Sequence, residues 1–372
     1  MSRIDPEFAS ELKKYGAKDF SACFNCGNCT AVCGLTEMNA NFPRVFIRMG
    51  MLGQKKEILQ SKELWLCYAC GDCSETCPRQ AGPGDYMAAL RRYAIAGYEP
   101  TGLTKLIFKN NPLFILFTVF LSVLLGFFLF TLKPDYIVSR WLFAIIPYTV
   151  IHTMGLVIFS ITGISVFWGM IRMSFYLSKL SKKSAVSKGI LVTLRAIVDE
   201  LATMKRHKKC DEEEDSFWKD KAAAVQPWFL HWSIMWGFIG LLLATSLDFL
   251  LKDPSTDMWW PSRVLGTFAG LFLVYGTSIS LNYRLKNVTK AYSNTRLADW
   301  MFLWFLWIAG ITGFWLEVSV AFHADFLFNH VVLIIHTIIS MQLVLLFAFS
   351  KFAHAFYRPL ALFHYFHNTQ NN

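Results

Sequence analysis

Charge is scarce in this sequence: Asp, Glu, Lys and Arg make up 17% of 372 residues, against 54% hydrophobic residues that include 34 Phe and 13 Trp. That deficit excludes an ordinary soluble chain, and the apolar excess lies after residue 110. Acidic residues are the scarcer sign, 26 against 36 Lys and Arg. The basic residues cluster in loops between apolar segments, as the positive-inside rule requires, so nucleic acid is not expected as a partner. An apolar leader is missing as well: the first 20 residues, MSRIDPEFASELKKYGAKDF, are polar, which argues against a signal peptide and puts the segment after them in the cytoplasm. No GxGxxG dinucleotide loop and no CCG motif occur.

What the chain has is cysteine in a repeated pattern. Eight of the nine cysteines form two runs, Cys23-x2-Cys26-x2-Cys29-x3-Cys33 and Cys67-x2-Cys70-x2-Cys73-x3-Cys77-Pro78. This spacing is that of a two-cluster ferredoxin, in which three cysteines wrap one [4Fe–4S] cluster and the fourth ligates the other. Cys23, Cys26, Cys29 and Cys77 are therefore expected around one cluster, and Cys67, Cys70, Cys73 and Cys33 around the second. Gly34 stands where the second run has its proline. Zinc is the competing reading, but zinc ribbons use two CxxC pairs rather than two triplets each followed by a fourth cysteine. Cys210, alone in a charged loop, is expected to be an ordinary cysteine.

The expected fold is all-α: a helical ferredoxin-type two-cluster domain over 1–105, then a six-span transmembrane bundle over 106–360. In the first part Pro83–Tyr98 reads as a helix, with Pro and Asp at its start and Gly97 near its end. Six apolar stretches follow, at 112–132, 141–177, 228–251, 263–283, 299–322 and 328–356, each long enough for the roughly 20 residues of a crossing. The second is long enough to tilt or to extend into the cytoplasm. The loop 178–227 carries Lys179, Lys182, Lys183, Lys188, Arg195, Lys205, Arg206, Lys208 and Lys209, and the loop after the fourth span carries Arg284, Lys286, Lys290 and Arg296. The other loops, 133–140, 252–262 and 323–327, supply only Lys133, Arg140 and Lys252 as cations. Both termini and the cysteine domain are thus expected on the cytoplasmic side of a prokaryotic inner membrane. Within the basic loop Ile190, Leu191, Leu194, Ile197, Val198 and Leu201 recur at helical spacing, for the membrane surface, a partner subunit or the chain's own core. Asp211–Asp215 reads as a solvated acidic turn.

Histidine inside a span is costly and by default functional. His152 lies in the second span, His231 in the third, and His336 and His354 in the sixth. On one continuous helix, the eighteen residues between the last two span five turns, about 27 Å at 1.5 Å per residue. His231 is then at the depth of His354, and His152 at the depth of His336. Two bis-histidine b haems satisfy all four: an inner one on His231 and His354, an outer one on His152 and His336. Hydrogen bonding between helices is the alternative for any single one, and His330 is the substitute outer ligand. His207, His323, His364 and His367 are expected to be unligated. For proton exchange with a quinone, Glu317 and Asp248 are the candidates, with Lys252 and Arg263 nearby. Lys351 and Arg358 could neutralise inner-haem propionates or simply be positive-inside residues.

The sixth span, His336-TIISMQLVLLFAFSKFA-His354 followed by AFYRP, resembles the last span of the nitrate reductase gamma-subunit type of cytochrome b. That family has two ligands together on an earlier span, where this chain has His231 and, ten residues on, Leu241. The stretches CFNCGNCTAVC and WLCYACGDCSETCPRQAGPGDYMAALRRY are similar to the C subunit of heterodisulfide reductase. The two together resemble the family of membrane subunits of the quinone-interacting membrane-bound oxidoreductase complex (QmoC). The resemblance implies electron exchange between menaquinone and cytoplasmic flavin and iron–sulfur subunits, which communicate with adenylylsulfate (APS) reductase in dissimilatory sulfur metabolism. Flavin chemistry and disulfide cleavage then belong to the partners. Two other readings remain: the membrane subunit of a heterodisulfide reductase or other quinone-linked respiratory enzyme, and a haem-free iron–sulfur anchor.

Overall fold

The computed structural model describes residues 4–38, 42–132, 141–143, 145–178, 189–212, 216–251, 260–322 and 326–367. Regular structure among these residues is helical throughout, as the sequence predicts. Lys133, Arg140, Lys179, Lys182, Lys183, Lys188, Lys252, Glu213–Asp215 and His323 lie outside the described residues.

The N-terminal part is built around one helix, Pro83–Tyr98, which starts after Gly82 in the left-handed region and has Pro in its first turn. Both are ordinary start signals, because a first-turn amide has no intrahelical partner to lose. The helix buries Tyr86, Met87, Ala89, Leu90, Ala94, Ile95 and Tyr98 against short helices at Phe8–Lys14, Arg44–Met51 and Lys55–Gln60.

Six helices long and apolar enough to cross a membrane follow: Asn111–Thr131, Tyr148–Ser178, Pro227–Leu251, Pro261–Lys286, Leu297–Ala321 and Leu327–Phe347. The first is capped by Asn110, whose Oδ1 accepts from the Leu113 amide at 3.2 Å. Exposed Phe120, Val123, Phe127, Ile164, Phe167 and Trp168 give the first two spans apolar outer faces suited to lipid. The third and fourth spans pack backbone to backbone. A Cβ on Gly237 would stand 2.7 Å from the Leu273 nitrogen and 2.8 Å from the Ala269 oxygen, so only glycine allows this approach.

The second and sixth spans depart from expectation. The second starts at Tyr148 rather than 141, because Pro147 disfavours helical backbone at the residue before it. Its 31 residues measure about 46 Å, well beyond a hydrocarbon core of roughly 30 Å. The excess joins the N-terminal core, where Met173 and Leu177 are buried with Trp65 and Tyr98. The sixth helix ends at Phe347, so His336 and His354 do not share one continuous five-turn helix. Ser350 adopts extended backbone and its hydroxyl accepts from the Phe352 amide, forming a short turn at Lys351–Ala353 before a new helix, His354–His367. That helix carries Tyr357 into the N-terminal core, 5.6 Å from Trp65 and 5.4 Å from Tyr98 between ring centroids.

The basic loop forms two helices, Ile190–Thr203 and Lys205–Asp211, joined by Met204 in the left-handed region. The first buries Thr193, Ile197 and Glu200, while Leu191 and Val198 of the expected apolar stripe are 78% and 64% exposed. The second is tied to the third span, because Asp211 is wholly buried and accepts from the Trp228 amide at 2.8 Å. Asp211 is therefore a helix cap rather than part of a solvated turn.

Candidate functional site

The two cysteine runs repeat one backbone. Asn25 and Ala69, two residues after the first cysteine of each run, have φ of 64° and 61°, and Gly27 and Gly71, one residue after the second, have φ of 92° and 98°. The left-handed glycine lets each loop turn into a one-turn helix, Asn28–Ala31 or Asp72–Glu75, that carries the third cysteine. The Asn25 amide donates to Cys23 Sγ at 3.4 Å, and the Ala69 amide donates to Cys67 Sγ at 3.3 Å. The Asn28 side-chain amide joins the runs by donating to the Thr76 carbonyl at 2.7 Å. Cys29 has Cys23, Cys26 and Cys77 among its neighbours, while Cys73 has Cys67, Cys33 and Cys29. The two runs therefore lie against each other, with Cys77 near Cys29 and Cys33 near Cys73. Among the described residues no three His, Cys, Asp or Glu side chains gather around a point suited to a single metal ion. Eight thiols gathered in one segment, with backbone amides on Cys23, Cys67 and Cys77, suit the donor set of two cubane clusters.

The cysteine segment sits on the end of the bundle that carries the basic loops. Arg92 donates to Asp299 of the fifth span at 2.7 Å, with both side chains buried. Asn294 donates to Asp85 at 2.6 Å, Arg296 to the Lys14 carbonyl at 3.0 Å, and the Lys290 amide to Glu75 at 2.6 Å.

At this end the structure brings His231 and His354 together, with ring centroids 6.1 Å apart. His354 Nδ1 is 2.8 Å from the Lys351 carbonyl, and His231 Nδ1 is 3.3 Å from Met204 Sδ. Each ring is contacted through Nδ1, which leaves Nε2 as the atom that would face a metal, as an axial haem ligand with a supporting contact requires. The pair fits an inner b haem.

The outer pair does not fit in the same way. His152 stacks on Phe249 at 3.6 Å, whereas His336 Nδ1 is 2.9 Å from Thr312 Oγ1 on the fifth span. The reason lies in helical phase. Val150, Met154 and Ile158 pack toward Ile334, Ile338 and Met341, and two residues along a helix turn both histidines away from that seam. The two imidazoles thus have different neighbours, Phe249 for His152 and Thr312 for His336. His330, the substitute, is buried one turn after Phe326, with Nδ1 3.3 Å from that residue's carbonyl. At the same outer end the Thr267 hydroxyl donates to Glu317 at 2.5 Å and the Ser262 hydroxyl to Asp248 at 3.0 Å, so both quinone candidates lean on the start of the fourth span.

Several residues of the inner site were not singled out by sequence. His207 is 5% exposed rather than a loop histidine; its ring stacks on Tyr68 at 5.1 Å and lies 6.1 Å from His231. Burial, with His231 and Arg358 nearby, holds its basicity well below the usual histidine range, so the ring is neutral. Cys210 is in hydrogen-bond contact with Cys70. The one available signal was their spacing, since His207 and Cys210 are three apart and share a face of a helix. Arg91 donates to the Cys67 carbonyl at 3.0 Å, and the Arg358 guanidinium lies 3.9 Å over the Tyr68 ring. Burial lowers Arg358 to about 10, which leaves it cationic at neutral pH beside the cysteine run.

Comparison with known proteins adds to this geometry. Residues 19–81 match the 4Fe-4S dicluster domain family. The chain is 35% identical over 91 residues to the C subunit of the H(2):CoB-CoM heterodisulfide,ferredoxin reductase of Methanothermobacter thermautotrophicus, covering 24% of this chain and 49% of the relative. It is 32% identical over 111 residues to an Archaeoglobus profundus protein described as like the C subunit of heterodisulfide reductase, covering 28% of this chain and 59% of the relative. It is also 32% identical over 99 residues to the iron-sulfur C subunit of the CoB–CoM heterodisulfide reductase of Methanopyrus kandleri, covering 24% and 52%. The chain spans about half the length of the curated relatives it matches. No solved structure matches it.

Proposed function

We propose that this chain is the membrane-embedded electron-transfer subunit of an oxidoreductase complex, exchanging electrons between menaquinone and cytoplasmic flavin and iron–sulfur subunits. The QmoC-type resemblance makes APS reductase the eventual soluble partner. The observation that carries this reading is the seating of the second cysteine run beside the His231–His354 pair.

Cys23, Cys26, Cys29 and Cys77 would hold one [4Fe–4S] cluster, Cys67, Cys70, Cys73 and Cys33 the other, and His231 and His354 a b haem; bound there, these groups supply one-electron chemistry. The chain's own residues do the rest. Backbone amides donate to the Cys23 and Cys67 sulfurs, and buried Arg91 and Arg358 offset negative charge around Cys67. The Lys351 carbonyl fixes the His354 ring. Arg92 and Asp299 keep the two parts in register. Glu317 and Asp248 are proton-exchanging groups at the opposite end of the bundle. At that end His152 stacks on Phe249 and His336 contacts Thr312, so the haem proposed is confined to His231 and His354.

On this reading the basic loops, the cysteine segment and both termini face the cytoplasm of a prokaryotic inner membrane. A reduced-minus-oxidised visible spectrum of the purified chain, followed by addition of a menaquinol analogue, tests the proposal. The expected result is b-type bands that the quinol reduces. A spectrum without such bands leaves a haem-free iron–sulfur anchor. The relatives favour a second reading, the membrane subunit of a heterodisulfide reductase. Identification of the subunits that copurify separates the two.

A further inference from the structure

We propose that Tyr68 and His207 form the junction between the second cluster and the inner haem site. The inference rests on the function proposed above and assigns a pathway within it. Tyr68 follows Cys67 directly, and its ring stacks on His207 at 5.1 Å with 21° between planes. His207 in turn meets His231 edge to face at 6.1 Å. Three rings therefore run in contact from the cysteine loop to a proposed haem ligand, through a seven-residue helix from a distant part of the chain. The first run has the opposite setting: Cys26 is exposed and Phe24 is 59% exposed.

Two details argue that the rings themselves matter. The Tyr68 hydroxyl is buried without a hydrogen-bond partner, a cost that phenylalanine would not incur, so polar satisfaction does not explain the residue's orientation. His207 is a buried polar side chain, 5% exposed, where leucine would be buried at lower desolvation cost. The transfer itself is simple: one electron leaves the reduced cluster and ferric haem iron becomes ferrous, with no bond made or broken and no proton moved.

The test uses the purified, cofactor-loaded full chain in stopped flow, with reduced methyl viologen as electron donor and haem absorption as the reading. Cluster content, haem content and haem midpoint potential are measured on the same samples. His207→Leu should slow haem reduction several-fold while all three remain unchanged. His207→Phe should restore the rate, and Tyr68→Phe should leave it at the level of the unsubstituted chain. A rate in His207→Leu equal to that of the unsubstituted chain, with both cofactors retained, overturns the junction and leaves the proposed function standing. If the unsubstituted chain shows no b-type absorption, the haem reading falls and the junction falls with it. Equal slowing in His207→Leu and His207→Phe would mean a structural role and would also overturn the proposal.

Discussion

Arg92 of the cysteine segment donates a 2.7 Å hydrogen bond to Asp299 of the fifth span, and both side chains are almost fully buried. Lys351, from the turn that precedes His354, approaches the other oxygen of the same carboxylate at 3.7 Å. Asp299 thus ties together the cysteine segment, the fifth span and the turn carrying a proposed haem ligand.

Asp299→Ala should therefore loosen the cysteine segment from the bundle. Removing one partner of a buried pair strands the other charge, at a cost of about 3–5 kcal/mol. Thermal unfolding in detergent should show a lower midpoint, and limited proteolysis should release an N-terminal fragment. An unchanged melt and digest would show that the contact does not hold the two parts together.

The crossed ligand sets proposed for the two clusters make a specific claim about Cys77 and Cys33. Cys77→Ser should damage the cluster of the first run, and Cys33→Ser that of the second. In each variant iron and sulfide content should fall toward half. EPR spectra of the reduced protein should show the remaining cluster's signal to be the one lost in Cys70→Ser for Cys77→Ser, and in Cys26→Ser for Cys33→Ser. The reverse correspondence would mean that each run holds its own cluster.

The contrast between the two histidine pairs predicts a haem count. His231→Ala or His354→Ala should abolish the bis-histidine b-type spectrum, while His152→Ala and His336→Ala should each retain it. Pyridine haemochrome quantification should give one haem per chain. Loss of half the absorbance in His336→Ala would restore an outer haem and require a second ligand for it.

Burial raises the Asp211 carboxyl to about 7 despite the Trp228 amide that donates to it. Because the folded value lies above the usual 3.8, the folded state binds more protons between those two values. The associated stability is complete below about pH 4 and is lost as pH rises through about 7. Asp211→Asn keeps an oxygen for the cap and cannot ionise, so thermal melts should show a smaller decline between about pH 5 and 8 than in the unsubstituted chain. An identical decline would assign that pH dependence to another group.

The spacing of the cysteines and the apolar lengths were legible because each is set locally. Two-residue gaps with glycine after the second cysteine dictate the loop that both runs adopt. Four of the six long apolar helices start and end within a few residues of the expected bounds, the second and sixth being the exceptions. Depth matching paired His231 with His354, whose rings meet even though the helix joining His336 to His354 is interrupted. Depth says nothing about which way a side chain points around its helix. His152 turns to Phe249 and His336 to Thr312.

Composition and spacing alone specify the number and chemistry of the ligands on offer: eight thiols in two runs, a few histidines in apolar surroundings, and six segments apolar enough for a bilayer. Which of them meet is a matter of packing. The folded chain links the second run to His231 through Tyr68 and His207, and brings Cys210 against Cys70. It also buries Asp211 as a cap. Spacing along a chain controls neighbours within a turn or two, whereas contacts between residues more than a hundred positions apart follow from how whole helices pack.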